Sequence, residues 1–328
     1  MTRMIDQLFL VLLLLFAVLA LQHPRLRTAI IFLGVFSLIA SLVYLQHHSP
    51  DVAMAEAVIG STLGTVLYLV ALRKQESIRE VSSKGQHVTD LSNTQIAVHR
   101  LIAAAAAIFM ATVIFMFYPF DLPPWPDATA ASYYRDNFIA DTAAKNAVTA
   151  IYLNYRVYDT LFETLTLLVS VLGVIFFSRY QSPERGELHP EAKQRRMRIG
   201  GDHSEIIAAP IFKVLYPFIV LLGFFTIVNG HLSPGGGFQG GAILSALLVL
   251  RYIIFPENDL RLATLQMLEK IMFLMIILVP ALFIFSRIHF EQMAFNTVYL
   301  ITMNALIGIK VCFGISIIFI RYAFYESR

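Results

Sequence analysis

The chain is predicted to be an all-α, polytopic integral membrane protein of about nine transmembrane helices, and three observations predict it. Apolar runs near twenty residues recur from one end to the other, and a helix needs roughly twenty such residues to cross a bilayer. Hydrophobic residues make up 57% and charged residues 14% of the 328, with a mean hydropathy of +0.68, a balance foreign to soluble domains. Lys and Arg are concentrated in alternate connecting segments, as short loops of membrane proteins require.

The spans read near 4–22, 25–46, 51–72, 98–119, 158–179, 209–229, 236–255, 267–286 and 295–321. The first has a short basic start, but its apolar run is too long for a signal peptide and no small-residue cleavage site follows. It is expected to be a retained helix. With the N-terminus outside, the inner segments hold eighteen Lys and Arg and the outer ones five. That bias predicts an N-out, C-in, multi-pass protein of the inner (cytoplasmic) cell membrane. The net charge of +3 is small, and the basic residues sit between spans, which argues against a nucleic-acid surface. Cys312 is the only cysteine, so no intramolecular disulfide exists, and it is expected to act as a small buried hydrophobe.

Two polar inner loops, 75–95 and 181–205, divide the chain into modules of three, two and four helices. The outer segment 120–157 carries Pro123-Pro124-Trp125-Pro126 and Tyr133-Tyr134, aromatics suited to the headgroup region. Its part 131–150 is expected to form a helix on that surface.

Residues 229–241 read N-G-H-L-S-P-G-G-G-F-Q-G-G and join two apolar runs. Ser233-Pro234 followed by Gly235, Gly236 and Gly237 predicts a tight outer turn. Gly236 with Gly240, and Gly237 with Gly241, repeat at four-residue spacing, which lets a neighbouring backbone approach closely. His231 is expected to serve the turn as a hydrogen-bonding residue, not as a ligand. No P-loop Lys-Ser/Thr or G-x-G-x-x-G after a strand is present.

Charges within spans require a partner, a cavity or a function, because each costs roughly 2.5–3.5 kcal/mol at mid-bilayer. Glu56 lies about 7.5 Å inside a helix that Pro50 and Asp51 begin, with Gly60 and Gly64 placed to follow on the same face. It reads either as a carboxyl bonded to a neighbouring helix or as a protonatable, cation-binding group. Asp159, Glu163, Thr166 and Ser170 form a polar stripe along another helix, either interhelical glue or the wall of a wet path. Lys310 lies near the middle of the last span. It reads as one half of a salt bridge, with Glu56, Glu163 or a partner subunit, or as a proton relay.

The glycine motif resembles the signature of the B subunit of Mrp-type multisubunit Na+/H+ antiporters, shared with a component of membrane-bound energy-converting hydrogenases. Residues 49–56, S-P-D-V-A-M-A-E, resemble the domain at the C-terminal end of Mrp A subunits. There the acid stands one turn later, at the position of Gly60, on the same helix face. Residues 155–163, Y-R-V-Y-D-T-L-F-E, resemble the second hydrogenase-like module, and N-A-L-I-G-I-K-V around Lys310 the last helix of the B subunit. The resemblance implies three modules, over 1–75, 97–180 and 205–328. It also implies a non-catalytic subunit that packs against other membrane subunits and lines a Na+ or H+ path. Glu163, Glu56, Lys310, Asp159 and Asp51 are the candidates for that path, and lipid the surrounding medium. The alternatives are the same role in a redox-driven hydrogenase-like complex, or a structural adaptor whose buried charges only lock helices. No cofactor is implied, and no Cys or His cluster has zinc or iron–sulfur spacing.

Overall fold

The computed structural model describes residues 2–82, 130–178, 204–255, 262–289 and 293–324, together with the isolated helical positions Leu101, Ala105, Phe109 and Thr112. Every secondary-structure element among them is a helix. Eight of these helices are long and apolar enough to cross a membrane: Met4–Gln22, Leu26–Gln46, Pro50–Arg73, Val157–Phe177, Ala209–Val228, Gly237–Ile254, Leu262–Ile284 and Phe295–Tyr322. The protein is thus an all-α, polytopic membrane protein. The expected span near 98–119 lies largely outside the described residues, as do the Pro-Trp segment and most of both polar loops.

Residues Met1–Lys74 and Tyr134–Arg328 form one compact unit, and Gln75–Tyr133 another; the following concerns the first. Helices α1 (Thr2–Gln22) and α2 (Leu26–Gln46) pack as a hairpin. Pro50, whose fixed φ suits the first turn of a helix, opens α3 (Pro50–Ala55). At Glu56 the chain widens into a π-helix, π1 (Glu56–Gly64), before resuming as α4 (Thr65–Ser82). In place of the uninterrupted α-helix the sequence led us to expect, the Ala57 carbonyl accepts the hydroxyls of Ser61 and Thr62, at 2.7 and 3.1 Å.

The expected surface helix over 131–150 is broken. Helix α5 (Ala130–Thr142) stops at Ala143, whose φ is 60°. Asn146 then caps α6 (Ala147–Ala150), its side-chain oxygen accepting the Val148 N–H at 3.0 Å. A second π-turn, π2 (Ile151–Tyr155), leads into α7 (Val157–Phe177). The last four helices are α8 (Ser204–Val228), α9 (Gly237–Ile254), α10 (Leu262–His289) and α11 (Met293–Phe324).

Helix α11 is the centre of the unit. Two-thirds (67%) of its apolar window is buried and 56% of that of α9, against 22% or less for every other described span. Glycine makes this possible. A Cβ at Gly237 would lie 2.6 Å from the Asn304 carbonyl oxygen, and one at Gly241 2.6 Å from that of Gly308. On the neighbouring face, a Cβ at Gly240 would lie 2.7 Å from the Gly223 carbonyl of α8. Gly236, instead of sitting inside the helix, caps it with φ 148°, and Gly235 precedes it at φ 139°. Those backbone angles, not only the spacing, demand glycine there. Cys312 is buried among the packed helices.

This packing predicts opposite outcomes for two glycine changes. Gly241→Ala meets the α11 backbone and should cost about 1–3 kcal/mol. Gly173→Ala on α7, where nothing lies within 4 Å of the added Cβ, should gain roughly 0.5–1 kcal/mol from helix propensity. Thermal unfolding of both variants in detergent measures the contrast.

Candidate functional site

The glycine turn is where segments distant in sequence are fastened together. Asp51, buried in the first turn of α3, accepts the Gly235 N–H on Oδ1 at 2.5 Å. From the segment before α7, the Asn146 amide donates to the carbonyls of Gly230 and Ser233, at 3.1 and 3.0 Å. The Thr149 hydroxyl donates to the Gly230 carbonyl at 2.6 Å. The backbone N–H groups of Lys145 and Asn146 both reach the His231 carbonyl, at 2.8 and 3.1 Å. His231 is itself buried, with Nδ1 3.1 Å from the Val228 carbonyl. From α11, the Asn304 side-chain oxygen accepts the Gly237 N–H at 3.0 Å and the Tyr152 hydroxyl at 2.8 Å.

Tyr152 joins this node through Asn304. Burial pushes its phenol above the ordinary value, and the charges of Asp51 and Glu163 add to the shift. The phenol therefore stays protonated and serves as a donor, here to Asn304.

The expected ion-path residues fall into three environments. Glu56 is half-buried at the α2–π1 contact, where the Ser37 hydroxyl donates to its Oε1 at 2.6 Å. Gly60 makes room for that carboxylate, since a Cβ there would lie 2.5 Å from the same oxygen. Glu163 is different. Its side chain is exposed on α7 and, among the described residues, has no hydrogen-bond or ion-pair partner. Asp159, one turn nearer the start of α7, pairs with Arg156 at 2.5 Å, both exposed. Thr166 and Ser170 return their hydroxyls to backbone carbonyls of their own helix, at 2.8 Å each. The stripe is thus not a seam between the described helices; it is exposed, between exposed Phe162 and Val169.

Lys310 is fully buried, and its partner is neither Glu56 nor Glu163. Its ammonium pairs with Glu269 of α10, also fully buried, and lies 5.3 Å from the centre of the Phe273 ring one turn further on. Further along α11, Ser316 meets Ser245 of α9 at 3.1 Å, and Tyr299 donates to the Leu153 carbonyl at 2.7 Å. The buried polar groups of α11 thus tie it to π2, α9 and α10. The Asn304 amide nitrogen is buried without a hydrogen-bond partner among the described residues.

Glu269, Asn304, Tyr152 and Ser37 went unremarked in the sequence. A buried lysine demands a carboxylate, and Glu269 stands just inside an expected span; its pairing with a residue 41 positions away is what no local pattern shows. Among the described residues, no group of three or more His, Cys, Asp or Glu could hold a metal ion. Among the described residues the site offers carboxylates, one lysine and hydroxyl donors, groups able to exchange a proton or a monovalent cation.

Comparison with known proteins fits this inventory. Residues 11–77 match the family model MbhD, the D subunit of MBH, and residues 207–320 that of a domain related to the MnhB subunit of Na+/H+ antiporter. An uncharacterized protein of Methanocaldococcus jannaschii is 31% identical over 48% of this chain and 59% of its own length. A probable K(+)/H(+) antiporter A/B subunit of Rhizobium meliloti is 24% identical over 69% of this chain and 23% of its own. The chain therefore spans about three-fifths of one relative and under a quarter of the other. Its fold is shared with a chain of the Mrp complex from Dietzia sp. DQ12-45-1b, with TM-score 0.62 and 18% identity over 94% of this chain and 34% of that one. It is shared as well with a chain of the archaeal membrane-bound sulfane sulfur reductase, with TM-score 0.52 and 23% identity over 70% of this chain and all of the other. The stretch carrying the glycine motif thus falls within the match to the MnhB-related model, and the stretch around Glu56 within the match to MbhD.

Proposed function

We propose that the chain is a non-catalytic membrane subunit of an Mrp-type cation/proton antiporter complex in the inner cell membrane, oriented N-out and C-in. One observation carries the reading. Glu163 lies inside a span yet is exposed and unpartnered among the described residues, and a carboxylate there needs polar company from beyond those residues. A neighbouring subunit completing a hydrated path supplies it. In this reading Glu163 and Glu56 are the protonatable, cation-exchanging groups. Asp159 and Asp51 stand nearer the outer end, and the Lys310–Glu269 pair sets the local field. The transported cation is Na+ or K+, the ions named for the relatives, against H+. The modules are those over 1–75, 97–180 and 205–328.

A second reading keeps the same subunit role in a redox-driven complex. It is favoured by the MbhD match and by the fold shared with a respiratory membrane complex. Companion subunits carrying nickel or iron–sulfur centres would distinguish it.

Transport separates conduction from scaffolding. Glu163→Gln and Glu56→Gln should each bring cation-driven proton movement in everted vesicles to background while the complex still copurifies. Normal transport by both variants, or loss of assembly instead of transport, contradicts the assigned roles.

The buried pair gives a different test. Lys310→Met alone strands Glu269 and should cost about 3–5 kcal/mol, whereas Lys310→Met with Glu269→Met should recover most of it. Thermal unfolding reads the stability. If the pair also biases the path, transport stays impaired in the stable double variant.

A further inference from the structure

At the end of the α8–α9 hairpin opposite the glycine turn, two cations lie against aromatic rings. Lys213 Nζ is 6.0 Å from the centre of the Phe255 ring, and the Arg251 guanidinium carbon 5.9 Å from that of Tyr216. Phe212 bridges the two, 5.5 Å from Tyr216 and 5.9 Å from Phe255 between ring centres. Both charged side chains are exposed. Among the described residues neither has a carboxylate partner.

Their depth follows from helix geometry. Lys213 precedes the turn, and Arg251 follows it, by about 21–24 Å of helix at 1.5 Å per residue. Their backbone therefore stands about 6–9 Å short of the far edge of the ~30 Å hydrocarbon layer, close enough for the long basic side chains to reach the zone where aromatic rings sit at headgroup level. Between them and the turn, α8 exposes Val214, Phe218, Leu221 and Phe225. A cation stacked on a ring keeps its other side open to an anion. The complementary ligand joins a phosphate to a long apolar body.

We propose that this is a binding site for one anionic phospholipid. Its phosphodiester lies between Lys213 and Arg251, over the aromatic floor, and its acyl chains run along α8. A free phosphate would match only the charged half of the site.

The test uses the full chain purified in mild detergent, mixed with phosphatidylglycerol or phosphatidylcholine and examined by native mass spectrometry. Phosphatidylglycerol should be retained and phosphatidylcholine lost. Lys213→Gln with Arg251→Gln should weaken retention about thirtyfold, the effect of two basic side chains at an anionic surface. Lys213→Arg with Arg251→Lys should preserve it, and excess inorganic phosphate should not displace the lipid. Equal retention by the wild type and the Gln variant overturns the proposal, as does displacement by inorganic phosphate. Failure of the wild type to retain phosphatidylglycerol overturns it too.

Discussion

Backbone contact between α9 and α11 is the constraint on which the rest of the structure depends. In lipid there is no hydrophobic drive to bring helices together, so association relies on close packing and on hydrogen bonds between helices. Gly237 and Gly241 remove the side chains that would hold α9 off the Asn304 and Gly308 carbonyls. With the helices that close, the Asn304 side chain reaches the Gly237 N–H and Tyr152, and Ser316 reaches Ser245. The two bonds between α9 and α11 need the approach that the glycines allow. The turn before α9 is then fixed well enough for Asp51, 184 positions away in sequence, to bond its Gly235 N–H.

That arrangement divides the acidic residues by what they can do. Asp51 is engaged in holding backbone, and Glu269 in neutralising Lys310, so both are part of the scaffold first. Glu56 receives a single hydroxyl, from Ser37, and keeps its second oxygen unbonded among the described residues. Glu163 keeps both. A scaffold that satisfies its own buried charges and leaves a carboxylate on an outward face suits a subunit whose site is finished by a neighbour.

The spans were legible because length and apolarity alone decide them; eight of the expected nine recur almost at the expected boundaries, and the other lies mostly outside the described residues. The glycine turn was legible because Ser-Pro-Gly-Gly-Gly restricts the chain to few conformations. The widening of the helix at Glu56 was not, since a π-turn leaves no sequence period and the Gly60 spacing suggested an unbroken α-helix. Nor was the Lys310 partner legible. Glu269 precedes Lys270 at what reads as a charged helix end, and only the antiparallel packing of α10 on α11 brings it to the lysine. The outward direction of the Asp159–Ser170 stripe was equally hidden, because periodicity says that residues share a face without saying what that face meets.

The central claim is that this chain works as one member of a multisubunit cation-transporting assembly, and isolating it intact from its own membrane in mild detergent tests that most directly. Mass identification of everything that remains bound should find several further polytopic subunits in fixed ratio, antiporter-like ones among them. Recovery of the chain alone, or only with copies of itself, under conditions that preserve its fold would contradict the account.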